Sequence, residues 1–161
     1  MNVRRSIAVA VLAAAVPALS SCGVNFGAQT DKVYNAAVGV DDRSGQVNVL
    51  NALIVSGVDG SGTVVAGLVN KDANKTVHLT GITSGDPSKP LTVTGPTTAI
   101  SGQGMVSLAD KGQYSVHGKS VVAGRFVKLT FTFDDAKTIT VDVPVELASD
   151  PDYKNVPLPK G

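Results

Sequence analysis

Side chains of the nucleophilic or metal-ligating kind are few in this sequence: one cysteine, Cys22, two histidines, His78 and His117, and one methionine beyond Met1, Met105. Cys22 carries the only thiol, the strongest nucleophile of the set once deprotonated. His117, Met105 and His78 form a candidate metal-ligating set if the fold brings them together, which their spacing alone does not decide. Otherwise the histidines are solvated strand residues. Other chemistry leaves little trace. Gly118-Lys119-Ser120 has the closing residues of a phosphate-binding loop, but Gln113 stands where that motif needs its first glycine, and no strand-to-helix context surrounds it. Asp41-Asp42-Arg43-Ser44-Gly45 and Asp59-Gly60-Ser61-Gly62 lack the spaced carboxylates and closing glutamate of a calcium loop and read as turns. Ser101 fails the nucleophile-elbow pattern because Ala99 precedes it by two. The chain is therefore expected not to be an enzyme, with no catalytic residue assigned.

Cys22 has a context of its own. Arg4 and Arg5, an apolar run from Ile7 to about Leu19, and small residues before the cysteine make the three parts of a secretory signal. Leu19-Ser20-Ser21-Cys22 resembles the lipobox of bacterial lipoproteins. That resemblance implies a diacylglyceryl group on the Cys22 thiol, removal of residues 1–21, and a protein held by acyl chains on the extracytoplasmic face of the cell membrane. Each buried methylene contributes about 0.8 kcal/mol, and two or more chains make a lasting anchor. An uncleaved transmembrane helix is disfavoured because Pro17 breaks an apolar run shorter than the roughly 20 residues a span needs. An ordinary secreted protein would carry an unpaired thiol into an oxidising space.

Removing residues 1–21 of 161 leaves a chain of single-domain size. It also removes two of 14 basic residues against 13 acidic ones, taking the net charge from +1 to about −1. No basic patch is implied, and nucleic-acid binding has no support. With Cys22 lipidated no disulfide forms within the chain, so stability must come from packing. Tryptophan is absent, aromatics are 4% of the chain, and Val, Thr and Gly are abundant, a composition suited to β-strands and tight turns.

The elements that must position these residues follow from periodicity. Residues 22–45 lack a sustained period and are expected to be a tether. Val47 to Val55 and Thr63 to Val69 are apolar runs flanking Gly57-Val58-Asp59-Gly60-Ser61-Gly62, a predicted hairpin. Thr76 to Ile82 is a third run. Thr83 to Thr98, with Pro87, Pro90 and Pro96, is irregular apart from Leu91-Thr92-Val93, and Met105 to Leu108 and Gln113 to His117 are short strand candidates. The strongest signal is the last. Val127, Leu129, Phe131 and Phe133 alternate with polar residues, as do Ile139, Val141, Val143 and Val145, with Asp134-Asp135-Ala136-Lys137 between. That is an antiparallel hairpin with one buried face, and Pro144, which has no amide to donate, suggests an edge strand or a position whose amide would face outward. Residues 148–161 read as a loose tail. The whole predicts an all-β, antiparallel β-sandwich over residues 46–147.

Ala66-Gly67-Leu68-Val69-Asn70-Lys71, the stretch from Ile100 to Leu108, and the closing Leu129-Thr130-Phe131-Thr132-Phe133 and Val141-Asp142-Val143-Pro144-Val145 resemble the periplasmic copper chaperone family PCu(A)C over roughly Gln46 to Leu147. The lipobox and Gly45 to Leu53 are similar to its actinobacterial LpqE-type lipoproteins. The resemblance implies a cupredoxin-like Greek-key sandwich and, for the parent family, Cu(I) delivery through a histidine, a methionine and a closing His-x-Met pair. Soft thioethers and imidazole suit Cu(I). Where the family places its first ligands, approximately Gly85 to Thr98, this chain has neither histidine nor methionine. Near Gln113 to Lys119 it has His117, but Lys119 replaces the methionine; Met105 aligns with an apolar strand position and reads as core. The expected protein is thus a lipid-anchored, non-enzymatic binding or accessory module with a degenerate copper site and an envelope protein as a candidate partner. The alternatives are a working copper metallochaperone with a rearranged site, and a module binding a small apolar ligand or a protein partner.

Overall fold

A computed structural model of the chain describes residues 38–110 and 114–159. Residues 1–37, and with them Cys22, the signal segment and most of the expected tether, lie outside the described residues. Ten strands make up the described fold: β1 Val40–Asp42, β2 Val47–Val58, β3 Ser61–Asn70, β4 Val77–Ser84, β5 Thr92–Thr94, β6 Thr98–Ile100, β7 Met105–Ser107, β8 Ser115–His117, β9 Phe126–Phe133 and β10 Ile139–Leu147. Among the described residues no helix is long and apolar enough to cross a membrane.

The period-two signal of β9 and β10 becomes the centre of the molecule. Val127, Leu129, Phe131 and Phe133 point inward and are buried, as are Ile139, Val141, Val143 and Val145. Register pairs Ile139 with Phe131 and Val143 with Val127. The outward face is held by cross-strand pairs, Thr130 Oγ1 with Thr140 Oγ1 at 2.9 Å and Lys128 Nζ with Asp142 Oδ2 at 3.7 Å. Alternation stops at Val143-Pro144-Val145, three consecutive buried residues. Here β10 leaves β9 and runs parallel to β2, pairing Val145 with Ile54 and Leu147 with Ser56. The expected edge position of Pro144 is thereby corrected: β10 is an inner strand, and the residue without an amide sits at the handover between partners. The next amide, Val145, donates to the Arg125 carbonyl at 2.9 Å.

The β2–β3 hairpin turns on two residues, Asp59 and Gly60, between paired Val58 and Ser61. Gly60 has a φ of +87°, the left-handed conformation that such a turn demands. Farther along β2 the register slips between Leu50 and Leu53, where Asn51 adopts a φ of 49°. This bulge exposes Asn51 to β1: its Oδ1 accepts from the Gly39 amide at 2.9 Å, and its own amide donates to Asp41 Oδ1 at 2.7 Å. The expectation of a tether through residue 45 is corrected for residues 40–42, which pair antiparallel with β2. The expectation of a loose tail is corrected too. Ala148 N–H donates to Ser56 O at 2.9 Å, the Thr63 hydroxyl donates to Pro157 O at 2.5 Å, and Leu158 packs against Gly57.

Strand order is β5-β8-β3-β2-β10-β9-β4-β6, with β1 on β2 and β7 on β3. All pairings are antiparallel except β2 with β10. The curled mixed sheet folds over one core of Val47, Val49, Ile54, Leu68, Leu79, Ile100, Leu129 and Phe131, each 0% exposed. Fully burying such a side chain is worth about 1.5–3 kcal/mol. The described residues form an all-β fold with the cupredoxin-like architecture that the resemblance implies.

Candidate functional site

The irregular, proline-containing segment and the segment around His117 are brought side by side by a short ladder. β5 pairs with β8, Thr92 opposite His117 and Val93 opposite Val116, while β8 is fixed on its other side by β3, His117 opposite Ser61. Tyr114, 1% exposed, anchors the start of β8: its hydroxyl reaches the Pro96 carbonyl and lies 2.7 Å from Thr98 Oγ1. Burial pushes the Tyr114 phenol pKa up, and the Thr98 contact partly offsets this. Gly95 lies flat against the Tyr114 ring, where a larger residue has no room.

Each side of the junction is shaped by local hydrogen bonds. Asp86 Oδ1 accepts from the Ser88 amide at 2.9 Å and the Ser88 hydroxyl at 2.7 Å, and the Lys89 amide donates to Asp86 O at 3.0 Å. The Ser88 hydroxyl, then its amide, then nearby Lys89 and Lys128 hold the Asp86 carboxyl below the usual range. Opposite, Gly118 N–H donates to Gly60 O at 3.0 Å and Val121 N–H to Gly118 O at 3.0 Å. Gly118 itself lies against Leu91 and the Pro90 carbonyl.

Between these two turns runs an open groove of about 740 Å³, lined by residues 88–92 on one side and 117–120 on the other. Its polar lining residues are Lys89, Lys119, His117, Ser88, Thr92 and Ser120, with Pro90 and Leu91 as an apolar wall. Among the described residues no carboxylate lines it. A smaller pocket of about 150 Å³ shares Lys89 and Ser120 with the groove and is lined also by Asp86, Lys128 and Asp142. The ion pairs of the described residues join Arg43 to Asp41, Lys75 to Asp135, His78 to Asp134 and Lys128 to Asp142, and involve neither Lys89 nor Lys119.

The three candidate metal ligands do not converge. Met105 lies opposite Val69 and His117 opposite Ser61, on the same flank of β3 but at its two ends, so about 3.3 Å per residue sets them roughly 26 Å apart. Met105 is also not the core residue its alignment suggests: it is 66% exposed, with its methyl over Gly67, because β7 is a short outer strand. His78, on β4, is engaged elsewhere. Its Nδ1 lies 2.7 Å from Asp134 Oδ2, its amide donates to Asp134 Oδ1 at 2.8 Å, and its carbonyl accepts from the Asp134 amide at 3.1 Å. The pair locks β4 to the β9–β10 turn. Among the described residues no group of three or more His, Cys, Asp or Glu side chains is placed to hold a metal. Nor does the groove suit Cu(I): it offers one imidazole, no thioether and two ammonium groups that repel a cation.

Lys89 is not legible in the sequence, because the segment holding it has no period and its partner across the groove is distant in the chain. Lys119 and Ser120 are visible as the tail of a phosphate-loop pattern that fails on its first glycine, and Lys119 also stands where the resemblance places a methionine.

No protein-family profile matches this sequence, and no curated protein sequence is similar to it. Solved structures do resemble the fold. The copper-bound PCuAC domain from PmoF2 matches with a TM-score of 0.54 and 16% identity over 67% of this chain and 98% of that domain. The apo PCuAC domain from PmoF1 matches with a TM-score of 0.54 and 14% identity over 67% and 99%. The apo PmoF2 PCuAC domain gives 0.53 and 15% over 68% and 97%. At such identity the likeness establishes a PCuAC-like fold and nothing about the site.

Proposed function

We propose that this chain is a non-enzymatic binding or accessory module of the cell envelope, related to the LpqE-type lipoproteins and held on the extracytoplasmic face of the membrane through lipid on Cys22. Its copper site is degenerate. The supporting observation is the groove itself: the two segments that the resemblance assigns to copper ligands meet there, and of the expected donors only His117 stands among the lining residues, beside Lys89 and Lys119. An envelope ligand or protein partner takes the place of the metal. The Cys22 anchor rests on the signal pattern of residues 1–22.

Competition for Cu(I) against a chromophoric chelator tests this reading on the full chain in nonionic detergent. The expected result is no site tighter than micromolar and no change in His117→Ala. Submicromolar binding at one site, abolished by His117→Ala, would overturn it and establish the second reading, a metallochaperone with a rearranged site. That second reading is favoured by the copper-bound state of one structural neighbour.

A further inference from the structure

We propose that the groove between residues 88–92 and 117–120 binds a phosphate ester, which deepens the preceding reading and rests on its claim that the groove is a binding site without copper. Charge comes first. Lys89, Lys119 and His117 line one concavity with no carboxylate among the lining residues, in a chain that carries nearly equal numbers of acidic and basic side chains. Such a concentration of one sign in a concave wall raises the local concentration of anions.

The hydrogen-bonding inventory narrows the anion. Lysines act as point charges toward phosphate, and the groove pairs two of them with an imidazole and hydroxyl-bearing residues, a donor set that a multiply charged, multiply accepting oxyanion can use. Thr92 and Ser120 add hydroxyl donors. Ser120 is informative: its Oγ is closed off from solvent and has no hydrogen-bond partner in the described residues, although the residue lines both the groove and the smaller pocket beside it. A buried hydroxyl without a partner is costly, and a turn of its χ1 toward the groove would let it donate to a bound oxygen.

The neighbouring carboxylates offset the site only in part. Asp86, kept ionised by the Ser88 amide and hydroxyl, screens Lys89 and leaves Lys119 as the full charge of the groove, and Asp142 pairs with Lys128 at 3.7 Å. Both line the smaller pocket and not the groove. Lys89 stands on the wall between the two, so Lys119 and His117 belong to the groove alone. Pro90 and Leu91 give a short apolar surface on which the carbon stem of an ester can rest. The shared chemistry covers a soluble phosphate ester and a phospholipid headgroup.

The test titrates glycerol 3-phosphate into the full chain in nonionic detergent at chloride-matched ionic strength, following thermal unfolding. A second arm measures partition onto vesicles containing phosphatidylglycerol against vesicles of phosphatidylcholine alone, to which a lipid anchor contributes equally. Saturable stabilisation that Lys119→Gln weakens at least about 10-fold and Lys119→Arg retains is expected, with Lys75→Gln unchanged. A Lys119-dependent preference for phosphatidylglycerol without response to the soluble ester also supports the site and assigns it to a headgroup. Equal response to chloride, or effects that survive Lys119→Gln in both arms, would overturn the phosphate assignment. Tight His117-dependent Cu(I) binding would instead remove the reading beneath it, so the two failures are distinguishable.

Discussion

Asn70 offers the most demanding check on the packing described above. Its side chain is 0% exposed at the end of β3, and all its polar atoms are used. The Nδ2 group donates to Lys75 O at 2.7 Å and Ile100 O at 3.2 Å, and Oδ1 accepts from the Asp72 amide at 3.0 Å. One amide thus joins the 71–75 loop to β6. Asn70→Asp keeps the shape and removes both donors. An ionised carboxylate at that position faces two carbonyl oxygens without water, so burial and repulsion raise its pKa in the folded state above the unfolded value of about 3.9. The neutral acid can still donate to one carbonyl, leaving the other unsatisfied at a cost of about 1–3 kcal/mol.

The sign of the pH dependence follows. Below about pH 4 the new carboxyl is protonated in both states, and the deficit against wild type is only that of the missing hydrogen bond. As pH rises, the unfolded chain ionises while the folded one does not, and the deficit grows by about 1.4 kcal/mol per unit until the folded pKa is passed. Urea unfolding of Asn70→Asp and wild type, compared at pH 4 and pH 7, should therefore show a deficit at least about 2 kcal/mol larger at pH 7. Comparing variant with wild type at each pH removes the titration of the native carboxylates. A deficit independent of pH, or under about 1 kcal/mol at pH 7, would refute the claim that this amide holds two buried carbonyls.

Three further outcomes are expected. Tyr114→Phe removes the hydroxyl shared by Pro96 O and Thr98 and should cost about 1 kcal/mol in denaturant unfolding, because Pro96 is exposed and its carbonyl can be hydrated; Tyr114→Ala should cost about 3–5 kcal/mol, and near-neutral behaviour of both would contradict the anchoring role. Asp134 has its pKa lowered, first by the His78 amide, so its contribution is present above the unfolded carboxyl pKa and is lost as pH falls through the folded value; Asp134→Asn should flatten the acid limb of stability below about pH 4, and an unchanged limb would count against the pair. Cys22→Ser should move the protein from the membrane fraction to the soluble one, and persistence on membranes after carbonate washing would sink the lipid anchor.

How legible each part was depends on how local its cause is. The β9–β10 hairpin could be read because eight apolar residues at period two bury one face, and every inward residue named from the pattern is buried. The β2–β3 hairpin was read as well, with its glycine-rich loop narrowing to Asp59-Gly60. What escaped was non-local. β1 has no pattern of its own and exists because at the bulge Asn51 accepts from the Gly39 amide through Oδ1 and donates its backbone amide to Asp41 Oδ1. The parallel step of β10 onto β2 depends on a partner some 90 residues earlier, and period-two reasoning is blind to partners. In the site, His117 is legible from its place near the closing motif that the resemblance implies, while Lys89 lies in a segment whose only visible property is irregularity.

The groove also explains how a fold of this kind keeps its shape while its chemistry changes. Residues 88–92 and 117–120 are held together by the β5–β8 ladder, by Tyr114 on Pro96 and Thr98, and by Gly118 on Gly60. None of those contacts uses a side chain that lines the groove as a donor to a ligand. Lys89, His117 and Lys119 are exposed on a scaffold that does not need them, so exchanging these side chains costs the fold little while changing the charge the groove presents. Structural likeness at 16% identity therefore carries the fold alone, and the residues that line the groove must carry its function.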